Sequence, residues 1–517
     1  MSLRIFVRLF YFLEVEFLRD VDLDHEYYEI EGESFWKTNQ EVKSDTNRSS
    51  RIGSRKWTIE KIIRLASANK NHMSVLCALY VHRRLTISQF QRIAQLDMKM
   101  NSVMNMFKTL YERNLVQREK IHEIASTFGE AFVYHYSLSS LGLQIVASTF
   151  MDVIFYKDDP TLPKQHYLVD DLKVNQHKHH FDTQEFVSLV IDGLRSSNVV
   201  TAHCEWRRYP FFDDEGKVGY RPDWVFFKPG QYYTSMVKEG REWENPLHIP
   251  LQTRDNLDHK ILAEHYKPFI SIECDGKTAS YEALKKKWVN IKQSIQHIPN
   301  TFAVFTNMGR LRKDNVLLRN DRKHTIRVKT VRRSILDVLQ NELAKDEMRI
   351  IQADEYNARD GVLHTFKTCG DLGSYVDVKI LKENIVKRYG KGMVAFVSED
   401  EIRLLVDNGH LPCTVDLMYE VTEGTSKKYF AIVYARKAWV NPHAKVMSLS
   451  EWAREKNEAI QLLMLFPDQD ELYEEIPYCI DHGQLYITLS DMKEAGLVFG
   501  WKHTVGRRGD AWEEVAL

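Results

Sequence analysis

The sequence predicts an α/β and α+β multidomain protein, and three observations carry that prediction. The 517 residues exceed what one hydrophobic core organises. Apolar residues recur at helical steps early in the chain, then give way to a middle region in which helix and strand patterns alternate. The charge is segmental: the whole chain is −1, yet residues 1–50 carry a net −5, 51–130 a net +8, 280–333 a net +11 and 461–517 a net −7. Two basic regions between acidic ends fit a middle that binds a polyanion. Hydrophobic residues at 44% and charged residues at 28% are ordinary for a globular chain and argue against disorder.

Residues 1–50 form an acidic N-terminal segment. Its apolar run from Leu3 to Leu18 is interrupted by Arg4, Arg8, Glu14 and Glu16, and no small-residue cleavage site follows. It predicts neither a signal peptide nor a membrane span, so a cytoplasmic protein without a membrane partner is expected. The six cysteines form no CxxC pair, which argues against structural zinc and against a disulfide framework. Lys43 to Arg55 is polar, lacks apolar periodicity and reads as a linker.

Residues 56–148 read as three helices and a hairpin. Ile59, Ile62, Ile63 and Leu65, then Val75, Leu76, Leu79 and Tyr80, recur at three- and four-residue steps. Thr86 followed by Gln89 is a capping-box pattern that opens a short second helix. Residues 100–112 put Val103, Met106, Phe107 and Leu110 on one face and leave Lys99, Asn101, Ser102, Asn105 and Lys108 free. Leu115-Val116 and the alternating Phe132, Tyr134 and Tyr136 predict two strands. This order with a positive charge predicts a winged helix-turn-helix. Its third helix would read double-stranded DNA through Lys99, Asn101, Ser102 and Lys108. The competing reading is a winged helix used only for protein contacts.

Residues 160–335 predict an α/β domain: a helix around 186–194, strands at 199–207, 218–227 and 269–274, a basic helix at 281–298 and a strand at 301–306. Asp223 stands at the start of one strand, and Glu273 and Asp275 stand near the end of another. Strand alternation would project Glu273, Asp275 and Lys277 from one side, with Ile270, Ile272 and Cys274 facing the core. Converging carboxylates call for a neutralising cation, and all-oxygen ligands suit Mg²⁺ or Mn²⁺. A lysine beside such a site orients or activates water for phosphodiester attack.

Pro222-Asp223, followed by Glu273-Cys274-Asp275-Gly276-Lys277 at the end of an apolar strand, resembles the PD-(D/E)xK nuclease superfamily. Together with the upstream winged helix, the chain is similar to the replication-relaxation family of plasmids and other mobile elements. In that family a PD motif precedes an ExDxxT-like strand, matched here by Glu273, Asp275 and Thr278. The resemblance covers roughly residues 58–310. It implies a restriction-endonuclease-like domain after the winged helix, in a DNA-binding protein of replication or transfer control. Two residues after Glu273 stands Asp275, so Lys277 takes the usual lysine place only if Asp275 is the motif acid. The resemblance therefore implies the fold more strongly than catalysis. An active Mg²⁺-dependent endonuclease, with Asp223, Glu273 and Asp275 as metal ligands and Lys277 beside the attacking water, is the leading alternative. A transcriptional regulator with an inactive nuclease-like scaffold is another.

Weaker features complete the reading. Glu185 is a fourth candidate acid, although an exposed helical glutamate is the commoner explanation. His177, His179 and His180 form an HKHH run that more often faces solvent than binds metal. Lys285, Lys286 and Lys287, with Arg310, Arg312 and Lys313, form a candidate phosphate track, in which Lys285 and Lys287 are expected to contact DNA. Residues 350–517 read as a C-terminal α/β interaction module for a protein partner, with strands at 393–397, 414–421 and 429–434 and helix from 448 to 465. Asp416 and the strand before Arg436-Lys437 echo a nuclease half-motif without its glutamate, short of an internal repeat.

Overall fold

The computed structural model describes residues 29–30, 33–34, 69–94, 99–120, 134–139, 142, 174–197, 202–205, 220, 222–229, 266–276, 279–294, 300–306, 322–480, 484–489, 499–506 and 509–516. The chain is a mixed α/β protein with several sheets. It divides into two compact units, Met1–Ser271 with Gly309–Asn315, and Ile272–Met308 with Val316–Leu517.

In the first unit, helix α1 (Lys70–His82) starts on Asn69, whose side chain accepts from the His72 backbone N–H at 3.1 Å. Strand β1 (Arg84–Thr86) and helix α2 (Ile87–Ala94) follow. The predicted capping box forms: Gln89 N–H donates to Thr86 Oγ1 at 3.2 Å, and Thr86 N–H to Gln89 Oε1 at 3.0 Å. Helix α3 (Met100–Glu112) buries Val103, Met106, Phe107 and Leu110, as its periodicity predicts. Strands β2 (Val116–Lys120) and β3 (Tyr134–Leu138) pair antiparallel. Sequence periodicity treats Arg83 to Thr86 only as a break, yet Leu85 is fully buried and pairs with Tyr136, giving a three-stranded sheet in the order β1-β3-β2. Three residues are too few for alternation to register.

Helix α4 (Val174–Ser196) is longer than predicted, packs along α2 and touches β1. Arg92 pairs with Glu185 at 2.7 Å and donates to Ser188 Oγ at 2.8 Å, and Gln89 Nε2 donates to Glu185 Oε2 at 2.9 Å. Glu185 is thus neither an exposed glutamate nor a free fourth acid. Strand β4 (Ala202–Glu205) pairs antiparallel with β5 (Trp224–Pro229), and Trp224 stacks on His82 at 5.1 Å. Strand β6 (Tyr266–Asp275) crosses the division between the units at Ser271.

In the second unit come helix α5 (Tyr281–Gln293), strand β7 (Thr301–Thr306), helix α6 (Arg322–Ala344), strand β8 (Arg349–Asp354) and helix α7 (Glu355–Thr368). Strands β7 and β8 run parallel, and α6 packs on α5. The C-terminal part has helix α8 (Val378–Tyr389), strand β9 (Val394–Val397), helix α9 (Glu399–Asp407) and strands β10 (Leu417–Glu423) and β11 (Ser426–Tyr434). Helix α10 (Asn441–Lys456), strand β12 (Ile460–Phe466), helix α11 (Gln469–Glu475) and strand β13 (Leu485–Thr488) follow. A hairpin of β14 (Phe499–Gly506) and β15 (Gly509–Ala516) ends it. Strands β9 to β15 form one sheet in sequence order, in which β11, β12 and β13 are mutually parallel and the other pairs antiparallel.

Two expectations change here. Ile460 to Phe466, read as helix, is a strand: Asn457 ends α10 in the left-handed region at φ 54°, and the apolar run that follows lies between two parallel neighbours. A continuous apolar run carries no period by which a buried strand differs from a buried helix. The C-terminal part also repeats an order of elements. Helix α4, strands β4, β5 and β6, helix α5 and strand β7 are followed by α8, β9, β10, β11, α10 and β12, with only α9 added. The half-motif at Asp416 belongs to this repeat.

Candidate nucleic-acid interface and the central acidic residues

Helix α3 is two-faced. Its exposed side carries Lys99, Asn101, Ser102, Asn105 and Lys108, short polar or cationic groups of the kind that reach base edges and phosphates. Lys108 stands 4.0 Å from Glu112, an exposed pair that weakly screens it. Met100 and Met104, 40% and 50% exposed, add apolar surface to the same helix. Beside it, Arg118 of β2 lies over the rings of Tyr111 and Tyr134 at 4.2 and 4.8 Å, which ties the hairpin to α3. Part of the local positive charge is spent internally: Arg83 and Arg84 are buried, Arg84 donates to His135 Nε2 at 3.0 Å, and Arg92 is held by Glu185.

The HKHH run is structural rather than solvent-facing at its last residue. His180 is buried and donates to the His82 carbonyl at 3.2 Å, and burial holds its pKa well below the usual histidine value. His179 lies 2.7 Å from Asp223 Oδ1, so this acid has a basic partner within the first unit.

Glu273 and Asp275 are both buried near the end of β6, in the second unit. Predicted alternation puts only one face of this strand in the core. Instead every residue from Ile270 to Asp275 is buried, so the acids need partners to offset desolvation. Arg327 of α6 supplies one, with Nη2 2.6 Å from Asp275 Oδ1 and Nε 2.8 Å from Oδ2. Thr306 Oγ1 donates to the same Oδ2 at 3.2 Å. The Asp275 hydrogen bonds raise the Arg327 pKa above the usual arginine value, despite partial burial. Glu273 accepts from Lys287 of α5. Lys277 and Thr278 lie outside the described residues, as do Arg310, Arg312 and Lys313.

This geometry gives residues of the candidate phosphate track acidic partners within the protein. Lys287 is engaged by Glu273, Lys285 lies 3.7 Å from Asp337 and over the Tyr281 ring, and Lys292 lies 2.6 Å from Glu342. Packing of α5 on α6 turns most of the basic helix face toward acids, which a charge count along the sequence does not see. It also bears on Mg²⁺ or Mn²⁺. Both Asp275 oxygens accept from cationic or hydroxyl donors, and Glu273 faces an ammonium, so these two acids do not fit an all-oxygen divalent site. Sequence reasoning missed Arg327. Its only signal is membership of the basic stretch at 280–333.

Among the described residues, three ligand atoms come within 4.8 Å of one another at His443, Glu475 and Cys479. That place is filled by a guanidinium: fully buried Arg332 donates to Glu475 and lies 3.3 Å from His443 Nε2, which itself donates to Glu475 Oε1 at 3.0 Å. Burial pushes the Cys479 thiol up to about 12, which keeps it protonated and a poor ligand. The half-motif residues of the C-terminal part are likewise tied down. Arg436 pairs with Glu471, and Lys437 reaches Asp360 and Glu474 at 2.8 and 2.7 Å. The described cysteines Cys274, Cys369, Cys413 and Cys479 form no disulfide among the described residues, and no described helix is long and apolar enough to cross a membrane. Compared with protein families, curated proteins and solved structures, the chain has no significant match in any of the three.

Proposed function

We propose that this protein binds double-stranded DNA through residues 70–138, acting as a winged helix-turn-helix with α3 in the major groove. The observation that carries the reading is α3 itself. One side is locked into the core by Val103, Phe107 and Leu110, while the opposite side offers Lys99, Asn101, Ser102, Asn105 and Lys108 beside a β-hairpin. The nuclease-like middle is a scaffold in this reading, because Glu273 and Asp275 are each neutralised by a protein cation and neither Lys285 nor Lys287 is a free phosphate contact. Control of replication or transfer of a mobile element is the setting that the family resemblance suggests.

Replacing Lys99 and Lys108 together with alanine tests this. Each phosphate contact contributes about 0.9 to the slope of log affinity against log salt, so the double variant is expected to lose about 2 from that slope. Binding at low salt should weaken by at least about tenfold, with circular dichroism unchanged because both side chains are exposed. Fluorescence anisotropy of labelled duplex across a salt series measures it. A slope equal to that of the wild type removes α3 from the interface.

A further inference from the structure

The seven-stranded sheet of the second unit has an open edge. Strand β9 is its first strand and pairs only with β10 among the described residues. The Thr422 N–H donates to the Met393 carbonyl at 2.9 Å, and Val394 stands opposite Val421. Antiparallel alternation then turns the backbone groups of Ala395 toward β10 and those of Val394 and Phe396 away from it. Outward N–H and C=O groups of this kind are a template for one more strand.

Helix α8 builds a groove beside that edge. Leu381 and Ile385 anchor the helix in the core of the sheet, and Val394 and Phe396 pack against the same core. Beside this contact runs a groove of about 780 Å³, with Val378, Val386 and Phe396 as its apolar lining. Its charged lining is Lys379, Lys382 and Lys387 against Glu383, three cations to one acid. Lys382 lies over the Phe396 ring at 5.4 Å, and none of the three lysines is ion-paired among the described residues. The acids that follow β9 have partners on their own helix. Glu399 and Asp400 lie 4.0 and 3.9 Å from Arg403, and Glu401 closes the capping box on Ser398.

These charges select the occupant. Antiparallel pairing of β9 with β9 of a second copy would set two α8 helices side by side on one face of the joined sheet, lysines against lysines, and their repulsion opposes it. A nucleic acid would meet the lysines but use neither the strand edge nor the apolar lining. We infer that the groove between α8 and β9 binds an extended acidic peptide of a partner protein, which adds to the sheet antiparallel to β9. Alternate side chains of the added strand face α8, where apolar ones meet Val378, Val386 and Phe396 and carboxylates meet Lys379, Lys382 and Lys387. Its backbone pairs with Val394 and Phe396.

Fluorescence anisotropy tests this on the full chain, with a labelled peptide long enough to span the four residues of β9. In it threonine alternates with valine and glutamate by turns, so every valine and glutamate faces one side of a strand. Saturable binding is expected, at least tenfold tighter than that of the same peptide with lysine for glutamate. Replacing valine with N-methylvaline keeps the charge but removes the donors for β9, and should also cost at least tenfold. Bound peptide should slow amide exchange at Val394 and Phe396. Lys379→Glu, Lys382→Glu and Lys387→Glu together should weaken the acidic peptide at least tenfold and favour the lysine peptide, a reversal that a misfolded variant would not show. No saturable binding, equal binding of the lysine or N-methyl peptide, or a triple variant with unchanged preference overturns the inference. A triple variant that loses duplex DNA while keeping the peptide overturns it too and assigns the groove to nucleic acid.

Discussion

Arg332→Ala is expected to destabilise the second unit by about 3–5 kcal/mol, the largest single effect foreseen in this chain. Arg332 is fully buried, and its guanidinium joins four elements of the unit. It donates to Glu475 of α11, to the Tyr478 carbonyl at 3.3 Å, and to Gln352 of β8 through Nε at 3.1 Å and Nη2 at 2.7 Å, and it lies against His443 of α10, which donates to the same Glu475. Alanine removes the cation and leaves Glu475, only 1% exposed, as an uncompensated buried charge. Amide hydrogen exchange on β8 and α10 in the full chain reads the loss locally, whatever the first unit does. Pairing Arg332→Met with Glu475→Gln should recover most of it, because the charge is then gone rather than stranded. Protection within about 1 kcal/mol of wild type in the single variant would mean the network is worth far less than its burial implies.

The same network sets a pH dependence. Burial lowers the His443 pKa, so the fold holds this imidazole neutral; its contribution is complete above about pH 6.5 and declines as pH falls through that value. Burial pushes Glu475 up, but Arg332 and His443 outweigh it and the net shift is down, so its contribution is lost only at lower pH still. His364 in the same unit is held at about 4, chiefly by burial, and acts in the same direction as His443. Exchange protection in the second unit should therefore fall between pH 7 and pH 5. A flat profile over that window contradicts the buried neutral histidines.

Arg327→Ala is the second large effect, expected at about 3 kcal/mol, because Asp275 is buried and loses a bidentate partner. Its value lies in what Mg²⁺ does to the variant. If Asp275 is an anion held by protein alone, millimolar Mg²⁺ leaves the midpoint of urea unfolding where the substitution put it. Selective restoration by Mg²⁺ or Mn²⁺ would identify a metal ligand and return the nuclease reading to first place. Consistent with the scaffold reading, supercoiled plasmid incubated with wild-type protein and either metal should remain uncut.

Much of the local architecture was legible in the sequence. The face of α3 from Val103 to Leu110, the Thr86–Gln89 capping box, the hairpin after it and the first three of the seven strands of the C-terminal sheet followed from period and cap chemistry. These are properties of neighbouring residues along one chain segment, and a segment's own pattern determines them. The helix length of α4, the strand at Ile460–Phe466 and the repeated order of elements were not legible, because each depends on what packs against the segment.

The site residues divide in the same way. That acids stood at Asp223, Glu273 and Asp275 was plain from the sequence, and so was the basic stretch at 280–333. Which cation answers which acid was decided by tertiary structure alone. Arg327 lies 52 residues from Asp275 and Lys287 lies 14 from Glu273, and only the packing of α6 and α5 around the end of β6 brings them together. Coulomb energy depends on distance in space and on burial, and neither is a function of spacing along the chain. The sequence by itself therefore determined the charges and the element patterns. Tertiary structure determined that Lys285 and Lys287 are engaged by acids while Lys99 and Lys108 stay on the surface.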